Sequence, residues 1–260
     1  MIHADNFSLS AYFDRIRFDA GSDAAGPDIA TVSRMMRAQL FSVPFENLDV
    51  QAGKGVSLVP EQIVDKIIHR ARGGYCYEVN GLFAMALTAL GVEYQFVAAR
   101  PMFYPMRRPR THMAIVATID GVQWLCDLGF GSYGIRAPMR LDHAGQQVPQ
   151  DDDTFILEQP TPRDYLLRAL VAGEWANQYG FDLSPQEWID FMPANYLNST
   201  HPDSVFVQKY LVVQHHPEGR NILFGEVLKT MSGGQLETQT VAPEQRAAVL
   251  AQHFGLALPV

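Results

Sequence analysis

Arg72-Gly73-Gly74-Tyr75-Cys76-Tyr77-Glu78-Val79-Asn80-Gly81-Leu82-Phe83 sets a pair of glycines against an apolar run, with one of the chain's two cysteines at the junction. Beyond the glycines, Val79, Leu82, Phe83, Ala86, Leu87 and Leu90 recur at helical spacing until Gly91 supplies a stop, so Cys76 falls at a helix start. Unpaired backbone N–H groups there favour negative charge. A free thiol is only a few per cent thiolate at neutral pH, whereas a helix N-terminus or a neighbouring imidazolium can bring a cysteine to roughly 3.5–7.5. The thiolate is the attacking species, and the glycines leave room for a substrate to approach it. The plainer alternative is a buried cysteine acting as a small hydrophobe.

Composition narrows the surroundings. The chain has 260 residues, 47% of them hydrophobic, enough for a sizeable core in one large domain or two to three small ones. Two cysteines make no disulfide framework, and Met1-Ile2-His3-Ala4-Asp5 lacks the basic and apolar character of a signal sequence. No apolar run approaches the ~18–20 residues that span a bilayer. A reducing cytoplasm is the expected compartment. The formal charge of −8 disfavours nucleic acid as a partner. One basic cluster stands out: Arg100, Arg107, Arg108 and Arg110, in a proline-rich stretch that reads either as a solvated loop or as a phosphate-facing patch.

Along the chain the hydrophobic period changes twice. Up to about residue 90 the pattern is helical, over Ser8–Arg15, Ile29–Leu40, Pro60–Arg72 and the Cys76 helix, which describes a helical bundle. From Val92 short β-rich runs follow: Tyr94–Ala98, Met113–Ile119, Gln123–Leu128, Thr154–Glu158, Tyr165–Val171 and Trp175–Phe181. Asp120-Gly121 is a hairpin signal between two of them. A β-barrel or curled sheet is the economical reading of this third. The acidic Gln146–Asp153 reads as a surface loop. Ser184-Pro185 then opens a helix, strands are expected over Val205–Val213 and Asn221–Met231, and Ala242–Phe254 ends the chain as a helix, making a small α/β tail. The fold class is α+β, with boundaries at 1–90, 91–183 and 184–260.

A cysteine nucleophile needs a base, and the base needs an orienting acceptor. His112 enters a strand as polar Thr111-His112 ahead of the apolar Met113-Ala114-Ile115-Val116, and Asp127 interrupts the apolar end of the next strand. A hairpin through Asp120-Gly121 sets these strands side by side, so the carboxylate can accept from one ring nitrogen while the other faces sulfur. An unpartnered aspartate there would cost several kcal/mol. Elsewhere, His215-His216 precede a Pro-Glu-Gly turn and read as exposed, and His69 falls on a polar helix side. No spacing suggests a metal site, and Cys126 points away from Asp127 into the core.

With Cys76, His112 and Asp127 in that order, the sequence resembles the arylamine N-acetyltransferase family. Several separated segments carry the resemblance: Val43-Pro44-Phe45-Glu46-Asn47-Leu48-Asp49, Arg72 to Phe83, Pro109-Arg110-Thr111-His112, and Asp127-Leu128-Gly129-Phe130-Gly131. It implies a helical bundle, a β-barrel and an α/β lid around a cysteine-protease-like Cys-His-Asp core. It also implies ping-pong chemistry in which acetyl-CoA acylates Cys76 and an arylamine, arylhydrazine or N-hydroxyarylamine takes the acetyl group. By the same resemblance Phe45, Phe130 and Tyr133 border the acceptor, while Gly131, Thr200 and Ser204 lie toward CoA. The two hydroxyls read equally well as turn and helix-end chemistry. Arg72 and Glu46 look like a structural charge pair, and N–H groups near Cys76 and Tyr77 are the natural oxyanion donors.

The chain departs from the family pattern at Gly131-Ser132-Tyr133-Gly134-Ile135-Arg136, so that with Tyr133 and Arg136 there the resemblance does not fix acceptor or acyl-donor preference. Amide synthases and longer-acyl transferases share this fold and remain alternatives. A transglutaminase-like cysteine hydrolase shares the residue order but not the other segments.

Overall fold

In the computed structural model, which describes residues 2–20, 25–131 and 133–259, helices come first and strands follow. Helices α1 (Leu9–Ile16) and α2 (Ile29–Ser42) begin on side-chain caps: Ser8 accepts from the Ala11 N–H and Asp28 from the Thr31 N–H, satisfying donors that a helix start leaves unpaired. A short strand β1 (Phe45–Glu46), a single turn α3 (Leu48–Gln51) and α4 (Pro60–Val64) follow. The helix expected to reach Arg72 is shorter. It widens into a π turn over Asp65–His69, and Ala71 then lies in the left-handed region at φ 51°, which an L-residue helix cannot continue through. Helix α5 (Cys76–Ala89) runs through the centre, with every residue from Cys76 to Leu87 buried. A helix apolar on all sides has to be enclosed, and this one is.

The enclosing wall is an eight-stranded antiparallel sheet of β2 (Glu93–Pro101), β3 (His112–Ile119), β4 (Val122–Cys126), β5 (Met139–Arg140), β6 (Gln147–Gln150), β7 (Asp153–Glu158), β8 (Asp164–Val171) and β9 (Glu174–Asp182). Its strand order is β5-β4-β3-β2-β9-β8-β7-β6. The two ends are brought together chiefly by the side chains of Gln150 and Arg136. Gln150 accepts from the N–H groups of Arg136 (2.7 Å) and Ala137 (3.2 Å) and donates to the Ala137 carbonyl (3.0 Å), which nearly closes the barrel. Asp120 (φ 50°) and Gly121 (φ 75°) form the two-residue turn that their sequence announces, with Ile119 opposite Val122. Gln146–Asp153, expected as a surface loop, instead contains β6 and the start of β7, and Gln150 and Asp153 are buried. The buried partners described below give these polar residues their place inside.

The last part departs most from the sequence reading. The helix expected at Ser184-Pro185 begins only with a 3₁₀ turn, Trp188–Phe191, because the Gln186 N–H is held by the Phe96 carbonyl at 3.1 Å in an extended bridge. It continues as α6 (Met192–Thr200). Val205–Val213 is not one strand: Ser204 accepts from the Phe206 N–H and caps a helical turn, α7 (Val205–Gln208). The Asn47 amide donates to the Phe206 (2.7 Å) and Lys209 (2.8 Å) carbonyls and fixes that turn. Strands β10 (Leu211–His216), β11 (Gly219–Phe224), β12 (Val227–Ser232) and β13 (Gln235–Thr240) then form a sheet with β1 in the order β1-β10-β11-β12-β13. The expected strand Asn221–Met231 is therefore two strands, turning at Gly225 (φ 61°), and the polar, wholly exposed β13 has no apolar alternation to reveal it. Helix α8 (Arg246–Phe254) covers this sheet with a small core that includes Val212, Leu223, Leu228 and Leu250. No helix among the described residues is long and apolar enough to cross a membrane.

Candidate active site

The loop before α5 is tight. A Cβ on Gly73 would lie 2.0 Å from the Pro44 carbonyl oxygen, and one on Gly74 would lie 2.6 Å from the Glu78 Cβ, so the paired glycines are required by contact. The Glu78 carboxylate accepts from the Tyr75 N–H at 3.0 Å, closing the helix start around Cys76, which is buried. Beneath it lies a buried charge network. Lys66 Nζ reaches Asp49 Oδ2 (2.6 Å) and Glu78 Oε1 (2.8 Å), and Arg72 Nη2 reaches Glu46 Oε1 (2.6 Å), the charge pair expected from sequence. Burial by itself would neutralise Lys66, but the surrounding Glu78, Glu46 and Asp49 charges overcome it and hold the ammonium well above its ordinary range.

His112 opens β3 and Asp127 follows β4, and the hairpin between them brings His112 Nε2 to 2.7 Å from Asp127 Oδ2. Both are buried, at 4% and 1% exposure. With Nε2 so engaged, Nδ1 is the nitrogen left to face the Cys76 thiol, which acts on the ring together with Asp127. The structure thus pairs His112 with Asp127 directly and sets Cys76 in interaction with the same ring. Burial favours a neutral ring. The Asp127 charge and hydrogen bond, joined by the Cys76 contact, outweigh it and lift His112 from 6.5 to about 10. Asp127 is held below the usual carboxylate range: burial opposes this, and His112, Asn80 and the Gly129 N–H more than compensate.

Two further polar residues belong to the cluster and are missing from the sequence reading. Asn80 lies one turn along α5 from Cys76. Its amide donates to the Met113 carbonyl (2.7 Å) and Asp127 Oδ1 (3.0 Å), and its Oδ1 accepts from the Leu128 N–H (2.8 Å). An asparagine on a helix otherwise apolar all round, four residues after the cysteine, was the available signal. Tyr179 on β9 packs its ring against His112 (centroids 4.9 Å apart), and its buried hydroxyl faces Asp127. Burial and that charge keep it protonated. Alternation along β9 marks Tyr179 only as inward-facing. Gly129 completes the floor, since a Cβ there would stand 2.5 Å from the Cys76 Cα.

The remaining sequence candidates fall in different places. Phe130 lies beside the site, its ring 5.1 Å from that of His112 and 5.8 Å from Phe103. Phe45 is buried behind the glycine loop against Phe206, at 6.1 Å. Gly131 takes φ 92°, and the Tyr133 ring stacks under the Arg220 guanidinium at 4.6 Å. Arg136 is fully buried and is committed to Gln150 and to Asp153, which it shares with Arg220. It is a structural ion pair behind the loop. His215, expected to be exposed, is 5% exposed and lies against the same cluster. The Thr200 hydroxyl donates to the Tyr196 carbonyl (2.6 Å) and the Ser204 hydroxyl to the Asn198 carbonyl (2.6 Å), which is the helix-end chemistry. In the arginine cluster Arg110 pairs with Asp182 at 2.5 Å, Arg108 stacks on Tyr104 at 4.6 Å, and Arg107 is exposed. Partial burial and the nearby Arg107 and Arg110 charges lower Arg100. Cys126 is buried in the core, as expected.

A helix-borne cysteine meeting a barrel-borne histidine and aspartate defines an α+β fold built on a cysteine-protease-like Cys-His-Asp core. The N-acetyltransferase family model matches residues 28–260. Arylamine N-acetyltransferase from Mycobacterium tuberculosis is 32% identical over 95% of this chain and 89% of that protein. The arylamine N-acetyltransferase / N-hydroxyarylamine O-acetyltransferase of Salmonella typhimurium is 30% identical over 95% and 88%. Among solved structures, the arylamine N-acetyltransferase from Mycobacterium abscessus superposes with a TM-score of 0.90 at 30% identity, covering 98% of this chain and 92% of that one. That from Mycobacterium marinum in complex with CoA superposes at 0.88 with 29% identity, covering 95% and 92%. The chain belongs to the arylamine N-acetyltransferase family, and it is an acyltransferase.

Proposed function

We propose that the protein transfers acetyl groups from acetyl-CoA to aromatic amines, hydrazines or N-hydroxyarylamines through an acetyl-Cys76 intermediate. The observation that carries this is the 2.7 Å His112–Asp127 contact, beside a Cys76 thiol that acts on the same ring. His112, favoured as imidazolium, pairs with a Cys76 thiolate. The thiolate attacks the acetyl carbonyl of the thioester, the C–S bond to CoA breaks, and CoA leaves as its thiol with the His112 proton. The amine then attacks the acetyl-cysteine carbonyl and gives its proton to His112, and Cys76 departs as thiolate, restoring the starting pair. N–H groups near Cys76 and Tyr77 serve the oxyanion.

The CoA phosphates are assigned to the side of the site formed by Arg100, Arg107, Arg108 and Arg110. These crowd several positive charges onto the connection leading to His112, with exposed Phe103 at hand for an aromatic base. Gly131 and the exposed Thr200 are assigned to the pantetheine side and Phe130 and Tyr133 to the acceptor side, while Phe45, buried against Phe206, and Ser204, bonded to the Asn198 carbonyl, support these walls from within. The division into a bundle (1–90), a barrel (91–183) and a lid (184–260) is kept as the working unit plan, and two free cysteines suit a reducing compartment. Incubation with acetyl-CoA should add the mass of one acetyl group to the intact protein, and Cys76→Ser should show no adduct and no transfer. Persistent transfer by Cys76→Ser refutes the mechanism.

A further inference from the structure

Helix α6 is built inside out. Its outer face exposes Met192 (56%) and Tyr196 (70%), whereas its buried positions carry the amides Asn195 and Asn198. Buried amides are unfavourable unless they are hydrogen-bonded, so those positions need partners. Their partners flank the two reacting residues. The Tyr75 hydroxyl, from the residue before Cys76, donates to Asn195 Oδ1, and Asn195 Nδ2 in turn donates to the Val56 carbonyl at 2.8 Å. Asn198 Nδ2 donates to the carbonyl of Thr111, the residue before His112, at 2.9 Å. The same Thr111 carbonyl accepts from the hydroxyl of Tyr77, the residue after Cys76, at 2.8 Å.

One carbonyl oxygen therefore joins three elements. Both of its lone pairs are used, one by the nucleophile's helix and one by α6. The path from Cys76 to His112 runs through one residue, one hydrogen bond and one residue, and α6 fixes its middle. The Ser204 hydroxyl, bonded to the Asn198 carbonyl at 2.6 Å, ties this point to the following turn. Tyr77 is fully buried, and burial together with the nearby Cys76 keeps its hydroxyl protonated and able to donate.

We propose that Tyr77 and Asn198 are positioning residues: through the Thr111 carbonyl they set the approach of His112 to Cys76, so that the seating of α6 governs the reactivity of the thiol. This rests on the reading of Cys76 as nucleophile and His112 as its base. A displacement of about 1 Å in such a pair can lower a rate by roughly 10²-fold, so the loss of one link should be felt without unfolding the protein. The ionisable groups around the pair are Asp127, Tyr75, Tyr77, Glu78 with its partner Lys66, Tyr179 and Cys126, and none of their charges is altered by removing the Tyr77 hydroxyl or the Asn198 amide.

The test is the rate of iodoacetamide alkylation of Cys76, followed by intact mass across pH, in the wild type, Tyr77→Phe and Asn198→Ala, together with acylation by p-nitrophenyl acetate, a donor without a CoA moiety. Both variants should alkylate about tenfold more slowly at pH 6, with profiles displaced to higher pH, and should lose acylation by p-nitrophenyl acetate in parallel. A wild-type profile in either variant, even with a lowered Tm, overturns the proposal, as does a loss confined to acetyl-CoA. Tyr77→Phe keeps the ring packed against Tyr75 and Phe191, so it decides the matter alone if Asn198→Ala does not fold. A wild-type thiol no more reactive than free cysteine at pH 6 would instead count against the nucleophile reading itself.

Discussion

Replacing Asp127 by asparagine keeps the shape of the site and changes one proton. In the native cluster Asp127 Oδ1 accepts from Asn80 Nδ2 (3.0 Å) and the Gly129 N–H (2.9 Å), while Oδ2 faces His112 Nε2 at 2.7 Å. The two donors require an acceptor, so the oxygen of an asparagine would take their side and its NH₂ would point at His112. Nε2 would then have to accept, leaving the ring neutral with its proton on Nδ1, facing sulfur, and unable to take another. The magnitude follows from the ring's proton affinity. Lifting His112 from 6.5 to about 10 means that the proton is held roughly 10³–10⁴-fold more tightly, with Asp127 the largest of the groups that raise it. The expected loss in kcat/KM is therefore roughly 10³–10⁴-fold, the scale on which a wrong histidine tautomer acts in a hydrolytic triad. Single-turnover acetylation followed by intact mass, with Tm as a control for folding, measures it. Raising the pH should not restore the rate. A folded Asp127→Asn protein within about tenfold of wild type would refute the reasoning.

Gly129→Ala should lower stability by about 1–3 kcal/mol, because its Cβ meets Cys76 backbone 2.5 Å away with no flexible atom to yield. Acetylation should fall with Tm, and a variant that keeps both would show that the floor of the site can move. His215 gives a pH signature. Burial, then Arg136 and Arg220, push it down to about 3 from 6.5, so between those values the unfolded chain binds a proton that the folded protein refuses. Stability is fully present above 6.5 and falls as pH drops toward 3. His215→Gln should therefore lose less Tm than wild type between about pH 7 and about pH 4.5, and equal slopes would refute the burial argument.

What the sequence disclosed and what it withheld differ in kind. Cys76, His112 and Asp127 were legible because each breaks a local pattern: a cysteine after paired glycines, and polar residues at the ends of apolar strands. The hairpin through Asp120-Gly121 then fixed the second and third relative to one another. Asn80 breaks the apolar pattern of its helix, but nothing local says which strand it faces; Tyr179 breaks no pattern, and only the barrel's curl brings β9 against His112. In the tail, Val205–Val213 has β-favouring composition, yet Ser204 and Asn47 supply hydrogen bonds that make its first half a helical turn, a case of tertiary partners overriding propensity. The polar β13 is recruited by pairing with β12 from Val227↔Thr240 to Ser232↔Gln235, with no buried side chain to leave a period-2 trace. His215 looked like a surface residue because what buries it, the Arg136–Asp153–Arg220 cluster, draws on a segment whose acidity suggests solvent.

The charge network under the nucleophile explains a tension in the helix start. Glu78 closes the turn around Cys76 by accepting from the Tyr75 N–H, and it places a carboxylate two residues along the helix from the sulfur that the proposed mechanism makes anionic. Left alone, that carboxylate would consume the favourable field of the helix N-terminus. Burial drives Glu78 upward, toward its neutral form, while Lys66 opposes this across 2.8 Å. Lys66 answers to more than Glu78: it also binds Asp49 and lies 3.8 Å from Glu46, whose other partner is Arg72 on the glycine loop. Counted fully ionised, the three carboxylates and two cations sum to minus one, and the upward shift of Glu78 brings the cluster closer to neutral. The sulfur is thereby left to His112 alone as its cation. That separation, with one ion cluster shaping the loop and another carrying the proton, is why PFENLD and RGGYCYE, distant in sequence, have to be present together.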